Sequence, residues 1–186
     1  MGLREEIATD KAAGARRLVA EYGNRLYETA IHLCGRESDA EDYVFRTFEK
    51  VISRISQFKG RSSFFTWMYE IMVNLIRTDA RRKAANALVF PETLPECEDP
   101  APDPGAALDT QTEATVVRAA INDLPVPLRD VMVFRYYEDM SVPEIAKVLS
   151  IPEGTVKRRI HDAKIVIRGK IARTIHPEPS SNKKKE

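Results

Sequence analysis

The sequence predicts an all-α protein with two helical domains that are joined by an acidic, proline-rich linker. Apolar residues recur at intervals of three and four in both halves of the chain, which is the pattern of amphipathic helices. Between the halves, Ala84 to Val117 holds seven acidic residues and five prolines but no lysine or arginine, and closely spaced prolines favour extended backbone. The 186 residues suffice for two small cores. We therefore predict a first domain at 1–87, a linker at 88–112, a second domain at 113–175 and a disordered tail at 176–186.

The first domain should contain three or more packed helices. One face of the first predicted helix carries Leu18, Tyr22, Leu26, Ala30 and Leu33. Ser38 and Glu41 have the spacing of a capping box, in which each side chain bonds to the backbone of the other residue, so a second helix should start there. The apolar stripe of this second helix is formed by Val44, Phe48, Val51 and Ile55.

A third helix is predicted from about Phe64 to Lys83. It follows a break at residues 58–63, where Gly60 can adopt a turn conformation and a serine can cap the next helix. Its inner face should carry Trp67, Ile71, Leu75 and Thr78, with Asn74 among them. Because an aromatic series at helical spacing usually belongs to a core, we expect Trp67 to be mostly buried.

The second domain should begin near Glu113 and contain several short helices. Two prolines in the segment 124–127 are predicted to end one helix and to start another. Ser141 is positioned to cap a short helix at Val142–Leu149, and the segment 150–152 should turn the chain into a longer helix that opens around Glu153. This spacing is typical of a helix-turn-helix.

The last predicted helix has a basic face that suits DNA. Its apolar stripe is formed by Val156, Ile160, Ala163, Ile167 and Ile171. That stripe directs Arg158 toward solvent, near the N-terminal end of the helix, where a recognition helix meets base edges and phosphates. The residues around Arg158 are Gly154, Thr155, Lys157, Arg159 and His161. A merely solvated basic face would carry similar residues, but the preceding turn and short helix favour contact with DNA.

Cations and aromatic residues also alternate in the first domain between Phe58 and Lys83. The cations are Lys59, Arg61, Arg77, Arg81, Arg82 and Lys83, and the aromatic residues are Phe58, Phe64, Phe65, Trp67 and Tyr69. Aromatic platforms beside cations suit unstacked bases. Ordinary core packing would produce the same aromatic spacing, so the spacing alone leaves both interpretations open.

The sequence lacks the motifs that carry common catalytic chemistry. It contains no glycine-rich phosphate loop, no GxSxG elbow, no HExxH and no carboxylate pair placed for acid and base roles. Cys34 and Cys97 are far apart and have no CxxC spacing, and His32 and Cys34 fit as ordinary helix residues, so neither a metal site nor a cofactor is expected. No eighteen apolar residues run together, which predicts a cytoplasmic protein without membrane insertion. We therefore expect a binding protein and not an enzyme.

Three stretches, taken in order, resemble an extracytoplasmic-function sigma factor of the sigma-70 family. They are residues 38–44, residues 58–82 with Trp67, Tyr69, Asn74, Asp79 and the pair Arg81-Arg82, and residues 124–163. The resemblance covers about residues 15–83 and 115–171. It implies a sigma-two domain and a sigma-four domain that bind core RNA polymerase and promoter DNA, with the acidic linker near the active-site channel and RNA exit path. It also implies control by an anti-sigma factor.

The resemblance assigns roles to individual positions. Contacts to the minus-ten element would come from Lys59, Arg61, Ser62, Ser63, Phe64, Trp67, Asn74, Arg77, Asp79, Arg81 and Arg82, and the loop at 59–63 would capture a flipped base. Contacts to the minus-thirty-five element would come from Ser141, Gly154, Thr155, Lys157, Arg158, Arg159 and His161. Contacts to polymerase would come from Asp39, Asp42, Phe45, Arg46 and Glu49.

This chain departs from the family pattern at three positions. Phe45 and Arg46 stand where the family usually has a Gln-Glu pair on the polymerase-facing helix, and Glu70 stands where the family usually has an arginine. An alternative function is therefore a sigma-like mimic that sequesters an anti-sigma factor. A plain helix-turn-helix regulator is a further alternative, although it would leave the first domain without a role.

Overall fold

The computed structural model describes residues 3–89 and 113–175, and the chain is helical with no strand over these ranges. The helices of the first domain are α1 (Leu3–Thr9), α2 (Lys11–Cys34), α3 (Glu37–Arg54) and α4 (Phe64–Val89), with a 3-10 turn at Ile55–Gln57. Those of the second domain are α5 (Glu113–Asn122), α6 (Val126–Tyr136), α7 (Val142–Leu149) and α8 (Glu153–Ile175). The predicted all-α class is confirmed. Residues 90–112 of the predicted linker and the tail at 176–186 lie outside the described ranges.

Helix α2 is the longest element that the sequence pattern located correctly. The carboxylate of Asp10 accepts hydrogen bonds from the backbone N–H groups of Ala12 (2.9 Å) and Ala13 (3.0 Å), which supplies partners for two amides at the helix start. Gly35 ends the helix with φ at 77°, a left-handed conformation that glycine adopts without steric cost. Leu18 and Leu26 are fully buried, as predicted. The short helix α1, which was not predicted, packs against α2 through the buried Ile7.

Helix α3 begins two residues earlier than the capping-box spacing indicated, and Ser38 is not its cap. The helix starts at Glu37, and Arg36 precedes it in an extended conformation with no side-chain cap. Only Gly35 and Arg36 separate α2 from α3, so the chain has no room for a cap at Ser38. Instead, Glu37 and Asp39 place negative charge in the first turn, which is favourable at the positive end of the helix dipole.

Helix α4 is buried on a wider face than the sequence indicated. Met68 and Met72 are fully buried and Val73 is 3% exposed, whereas Asn74, which was expected on the inner face, is exposed. The buried face is wider because α4 contacts both α3 and, in the second domain, α7. Its end at Val89 lies six residues beyond the predicted one.

The second domain follows the predicted sequence of helices closely. Helix α6 begins directly after Pro125, and α7 spans the predicted residues. The carboxylate of Glu144 accepts hydrogen bonds from the backbone N–H (2.9 Å) and the hydroxyl (2.6 Å) of Ser141 at the start of α7. Ser150, with φ at 52°, ends α7 and turns the chain toward α8.

Gly14 is required where α1 crosses α2. A Cβ atom at Gly14 would lie 2.6 Å from the Cα atom of Ile7, a backbone atom that cannot move without displacing α1. We expect Gly14→Ala to lower the free energy of unfolding by about 1–3 kcal/mol, the usual cost of overpacking, as measured by urea denaturation. Gly23→Ala on the same helix is the control, because its Cβ would lie 3.6 Å from Val19, an ordinary contact. The control should be stabilising, by up to about 1 kcal/mol. Equal effects at the two positions would contradict this packing.

Candidate nucleic-acid interface

The N-terminal half of α8 presents the predicted basic surface to solvent. Val156 and Ala163 are fully buried on the opposite side of the helix, which fixes its rotation about its own axis. The Arg158 side chain is 84% exposed. Its Nε atom lies 3.7 Å from an oxygen of Asp162, but a pair this open to water holds the guanidinium only weakly. Arg158 is therefore available to another partner.

The other predicted residues of this surface differ in their accessibility. Gly154, Lys157 and His161 are exposed, whereas Thr155 and Arg159 are half-buried. Ser141, at the start of the preceding helix, is exposed, but its hydroxyl and N–H are bonded to Glu144. These two bonds also lower the pKa of the Glu144 carboxyl. The structure therefore brings the residues that were predicted to contact the minus-thirty-five element together around the turn between α7 and α8.

In the first domain, an aromatic cluster forms where the 58–63 loop meets α4. The rings of Phe58 and Phe64 are in edge contact with centroids 5.2 Å apart, and the ring of Trp67 lies 5.3 Å from that of Phe58. Ser63 caps α4 by accepting a hydrogen bond from the N–H of Thr66 at 3.0 Å. Trp67 packs against the hydrophobic core and keeps only a minority of its surface accessible, in keeping with the expectation that it would be mostly buried.

The loop that precedes α4 is shaped by one glycine. Gly60 has φ at 69°, which is the left-handed conformation expected for a turn at this position. Lys59 and Arg61 on either side are exposed, and the aromatic cluster lies beside them. Ser62 is half-buried. The predicted loop residues are therefore close to Phe64 and Trp67, so that cations and partly accessible rings share one surface.

A groove of about 200 Å³ runs between α3 and α4. Its polar lining residues are Arg46, Lys50, Arg54, Asn74, Thr78, Asp79 and Arg82. Lys50 and Arg54 were not among the predicted site residues. The signal that could have found them is the spacing of Arg46, Lys50 and Arg54, since cations four residues apart lie on one side of a helix. The groove holds four cations and one carboxylate, so a bound polyanion would be favoured there.

Arg46 is turned into this groove and not toward the outer face of α3. Its guanidinium donates hydrogen bonds to Asp79 (2.6 Å) and to Asp42 (2.9 Å). The bond from Arg46 holds the pKa of Asp79 below its ordinary value of 3.8. The neighbouring Phe45 points outward and is 64% exposed. The two departures on α3 therefore differ: Arg46 joins α3 to α4, and Phe45 is an exposed apolar residue.

Arg77 and Arg81 do not line the groove, and they have different partners. The guanidinium of Arg77 donates to the carbonyl of Leu149 in the second domain and lies 3.7 Å from Asp130. Arg81 is exposed and donates to the carbonyl of Arg77 at 3.2 Å. The structure therefore does not bring Arg77 together with the other residues that were predicted to contact the minus-ten element.

The predicted polymerase-facing residues lie along α3. Asp42, Phe45 and Glu49 are exposed, and Asp39 is half-buried beside Arg36 and Lys83. Within residues 3–89 and 113–175, no helix is long and apolar enough to cross a membrane. The same ranges hold no group of three or more His, Cys, Asp or Glu side chains arranged to hold a metal ion.

The Arg46–Asp79 pair makes the stability of the first domain depend on pH. A carboxyl whose pKa is lowered by folding contributes stability above its ordinary pKa and loses that contribution as the pH falls through the lowered value. We expect Asp79→Asn to reduce the free energy of unfolding at pH 7 by no more than about 1 kcal/mol, because the pair is partly exposed. The difference from the unmodified chain should shrink below about pH 4, as measured by urea denaturation from pH 7 to pH 3. Asp123→Asn is the control, because it removes the ion-pair partner of Lys170. The Asp123 side chain is more exposed than that of Asp79, so the effect on the free energy of unfolding should be smaller.

Comparison with known protein families gives two matches in the order of the domains. Residues 18–86 match the family Sigma-70 region 2, and residues 115–165 match the family Sigma-70, region 4. The chain is 30% identical over 145 residues to the ECF RNA polymerase sigma-E factor of Escherichia coli, an alignment that covers 72% of this chain and 74% of that protein. It is 32% identical over 161 residues to the ECF RNA polymerase sigma factor SigE of Mycolicibacterium smegmatis, covering 84% of this chain and 61% of that protein.

Solved structures show the same fold. The sigma factor RpoE of Bartonella quintana, solved in complex with the anti-sigma factor NepR, has a TM-score of 0.69 at 19% identity, and the match covers 84% of this chain and 95% of that one. CnrH, solved in complex with the cytosolic domain of CnrY, has a TM-score of 0.62 at 22% identity, with 91% and 94% covered. Because both family matches occur in order and the identity to these relatives reaches 32%, the chain belongs to the ECF sigma factors of the sigma-70 family.

Proposed function

We propose that this chain directs promoter-specific transcription initiation by binding core RNA polymerase together with the minus-ten and minus-thirty-five elements of promoter DNA. The observation that carries the proposal is the exposed basic surface at the start of α8, which the turn at Ser150 sets beyond α7 as in a helix-turn-helix. The chain would act in the cytoplasm as a binding factor without catalytic chemistry of its own. Membership of the family supports this activity.

The minus-thirty-five element would be bound by the N-terminal part of α8. The major groove of DNA admits one α-helix, and the buried face of α8 leaves Lys157, Arg158 and His161 on the side that would enter the groove. A guanidinium suits bidentate contact with guanine, whereas a lysine suits phosphate. Ser141 would lie near the backbone of the DNA, where its bonds to Glu144 keep the start of α7 fixed.

The minus-ten element would be bound as an unpaired strand by the first domain. Lys50, Arg54 and Arg82 line the groove between α3 and α4 and would neutralise phosphates. The half-buried ring of Trp67 and the cluster around it would stack on a base, since aromatic side chains accept any base in this way. Lys59 and Arg61 in the adjoining loop extend the same positive surface. Binding of the single strand by this domain would need both contacts to phosphates and stacking on bases.

Core polymerase would bind the outer face of α3. Glu41, Asp42 and Glu49 surround Phe45 on this face, and all four side chains are exposed. Phenylalanine is enriched at protein–protein interfaces, where a polar rim surrounds the apolar centre. The complementary surface on core polymerase would carry basic residues around an apolar pocket. We further propose that an anti-sigma factor controls the chain, since the sigma factor RpoE of Bartonella quintana was solved in complex with one.

Phe45 also favours the rival function, a mimic that sequesters an anti-sigma factor without binding polymerase. It replaces the polar residue that the family usually places on this face, and Arg46 has turned away from it. The two functions differ in one measurable property. A sigma factor co-purifies with core polymerase, whereas a mimic co-purifies with its anti-sigma partner alone.

Run-off transcription tests the proposed function. Core RNA polymerase from the source organism would be incubated with genomic fragments, with and without this chain. We expect specific transcripts only when the chain is present. Absence of transcripts together with absence of core binding in a pull-down would favour the mimic. Core binding without transcripts would leave polymerase docking in place and contradict promoter-specific initiation.

Arg158 tests the minus-thirty-five surface. We expect Arg158→Ala to weaken binding to a duplex that carries the minus-thirty-five sequence by about 1–3 kcal/mol if the guanidinium contacts a base, because the bidentate contact is lost. The measurement is a binding titration at fixed salt with cognate and scrambled duplexes. Lys164→Ala, which removes an exposed cation further along α8, is the control and should leave the preference for the cognate duplex unchanged. Equal losses on both duplexes would assign Arg158 to phosphate contact.

A further inference from the structure

The groove between α3 and α4 carries its negative charge at one end. Its charged lining residues are Arg46, Lys50 and Arg54 on α3, with Asp79 and Arg82 on α4. The two helices run antiparallel, because Arg46 contacts Asp79, whereas Asp39, earlier on α3, lies near Lys83, later on α4. Asp79 therefore lies toward the end of the groove that is farthest from the loop at 58–63.

The carboxylate of Asp79 is neutralised by Arg46. The Nη1 and Nη2 atoms of Arg46 donate hydrogen bonds to the two oxygens of Asp79 at 2.6 Å and 3.4 Å. The Asp79 side chain is only 19% exposed, so water screens its charge weakly. Arg82 approaches the same carboxylate only to 4.0 Å, and its own side chain is largely in water. Arg46 is therefore the main counter-charge of Asp79.

The two other cations of α3 are not used in this way. Among the residues that the structure describes, no carboxylate forms an ion pair with Lys50 or Arg54. Both cations can therefore bind phosphates. A strand that followed them along α3 would next reach Asp79. An unpaired carboxylate at that point would repel a phosphate, because two like charges that are weakly screened raise the energy of the complex.

We propose that Arg46 is a positioning residue for the minus-ten strand: by pairing with Asp79 it cancels the negative charge at the end of the groove, so that the strand can follow the whole row of α3 cations. This inference rests on the proposed function of the first domain. It assigns Arg46 to the DNA-binding groove, whereas the resemblance to the family implies a contact with polymerase. Arg46 acts through Asp79 and does not itself bind a phosphate.

The effect of one substitution separates this role from two simpler ones. If the Arg46–Asp79 pair only held α3 against α4, Asp79→Asn would loosen the groove and weaken the binding of a strand. If Asp79 accepted a hydrogen bond from a base, the same substitution would also weaken binding. If Asp79 is a repulsive charge that Arg46 cancels, Asp79→Asn strengthens binding, because the repulsion is lost and Arg46 becomes free to bind a phosphate.

A binding titration with the full chain tests the proposal. The probe is a fluorescently labelled single-stranded oligodeoxythymidine, and its anisotropy is followed between about 50 and 200 mM salt. We expect Arg46→Gln to weaken binding several-fold and to make the slope of log K against log salt shallower by about 0.7, the value for one phosphate contact to a single strand. Asp79→Asn should strengthen binding several-fold and make the slope steeper by about the same amount. The double variant keeps the net charge of the groove and should bind within about twofold of the unmodified chain.

Matched variants show where the probe binds. Lys50→Gln should weaken binding, because it removes a cation that lines the groove. Arg17→Gln and Glu21→Gln make the same charge changes in an ion pair on α2 that does not line the groove, and each should leave the affinity unchanged. Urea denaturation of each variant shows that it remains folded.

Two results would overturn the role of Arg46 and leave the minus-ten surface in place. One is weaker binding by Asp79→Asn, and the other is a double variant that binds as weakly as Arg46→Gln. A different result would refute the proposed minus-ten surface, and this inference with it: no form of the chain binds the oligonucleotide, or Lys50→Gln has no effect.

Discussion

The burial of helix α4 on two sides is the constraint on which the rest of the structure depends. One side packs on α3, and the other packs on α7, so that Met68, Tyr69 and Met72 are fully enclosed. Only a narrow strip of the helix remains for contact with solvent or nucleic acid. Asn74 and Arg81 lie on that strip, and the cations of α3 face it across the groove. Arg77, which lies off the strip, is bound by the second domain.

Two of the three departures from the family pattern have partners inside the structure. Arg46 does not project from α3 but bonds to Asp79, so its positive charge joins two helices. Glu70 pairs with Lys147 of the second domain. Phe45 alone remains directed outward. The two charge changes, at Arg46 and Glu70, therefore form contacts within the structure. The one change that alters an exposed surface, at Phe45, is apolar.

The sequence predicted the second domain better than the first, for reasons that lie in particular residues. Helices α6 and α7 are short and bounded by prolines, by Ser141 and by Ser150, so local chemistry fixes their ends. Helix α3 was misplaced at its start because a tight connection excluded the cap that its sequence offered. The burial of Met68 and Met72 could not be predicted, since the second layer on α4 comes from a distant part of the chain. Lys50 and Arg54 are marked in the sequence only by their four-residue spacing from Arg46, and that spacing points to a site only once the groove is known. The burial of Glu138 against Arg25 of the first domain was likewise invisible to periodicity, because Glu138 lies in a turn beside a second acid, Asp139.

The position of Trp67 gives the molecule a built-in optical label. It is the one tryptophan among the 186 residues, so its indole accounts for all tryptophan emission of the chain. The ring is half-buried between the loop at 58–63 and α4, with Phe58 and Phe64 beside it. Emission from such a site changes wavelength and intensity when water leaves it or when another ring covers it. Events at this end of the first domain are therefore observable by fluorescence, without an attached dye and without interference from the second domain.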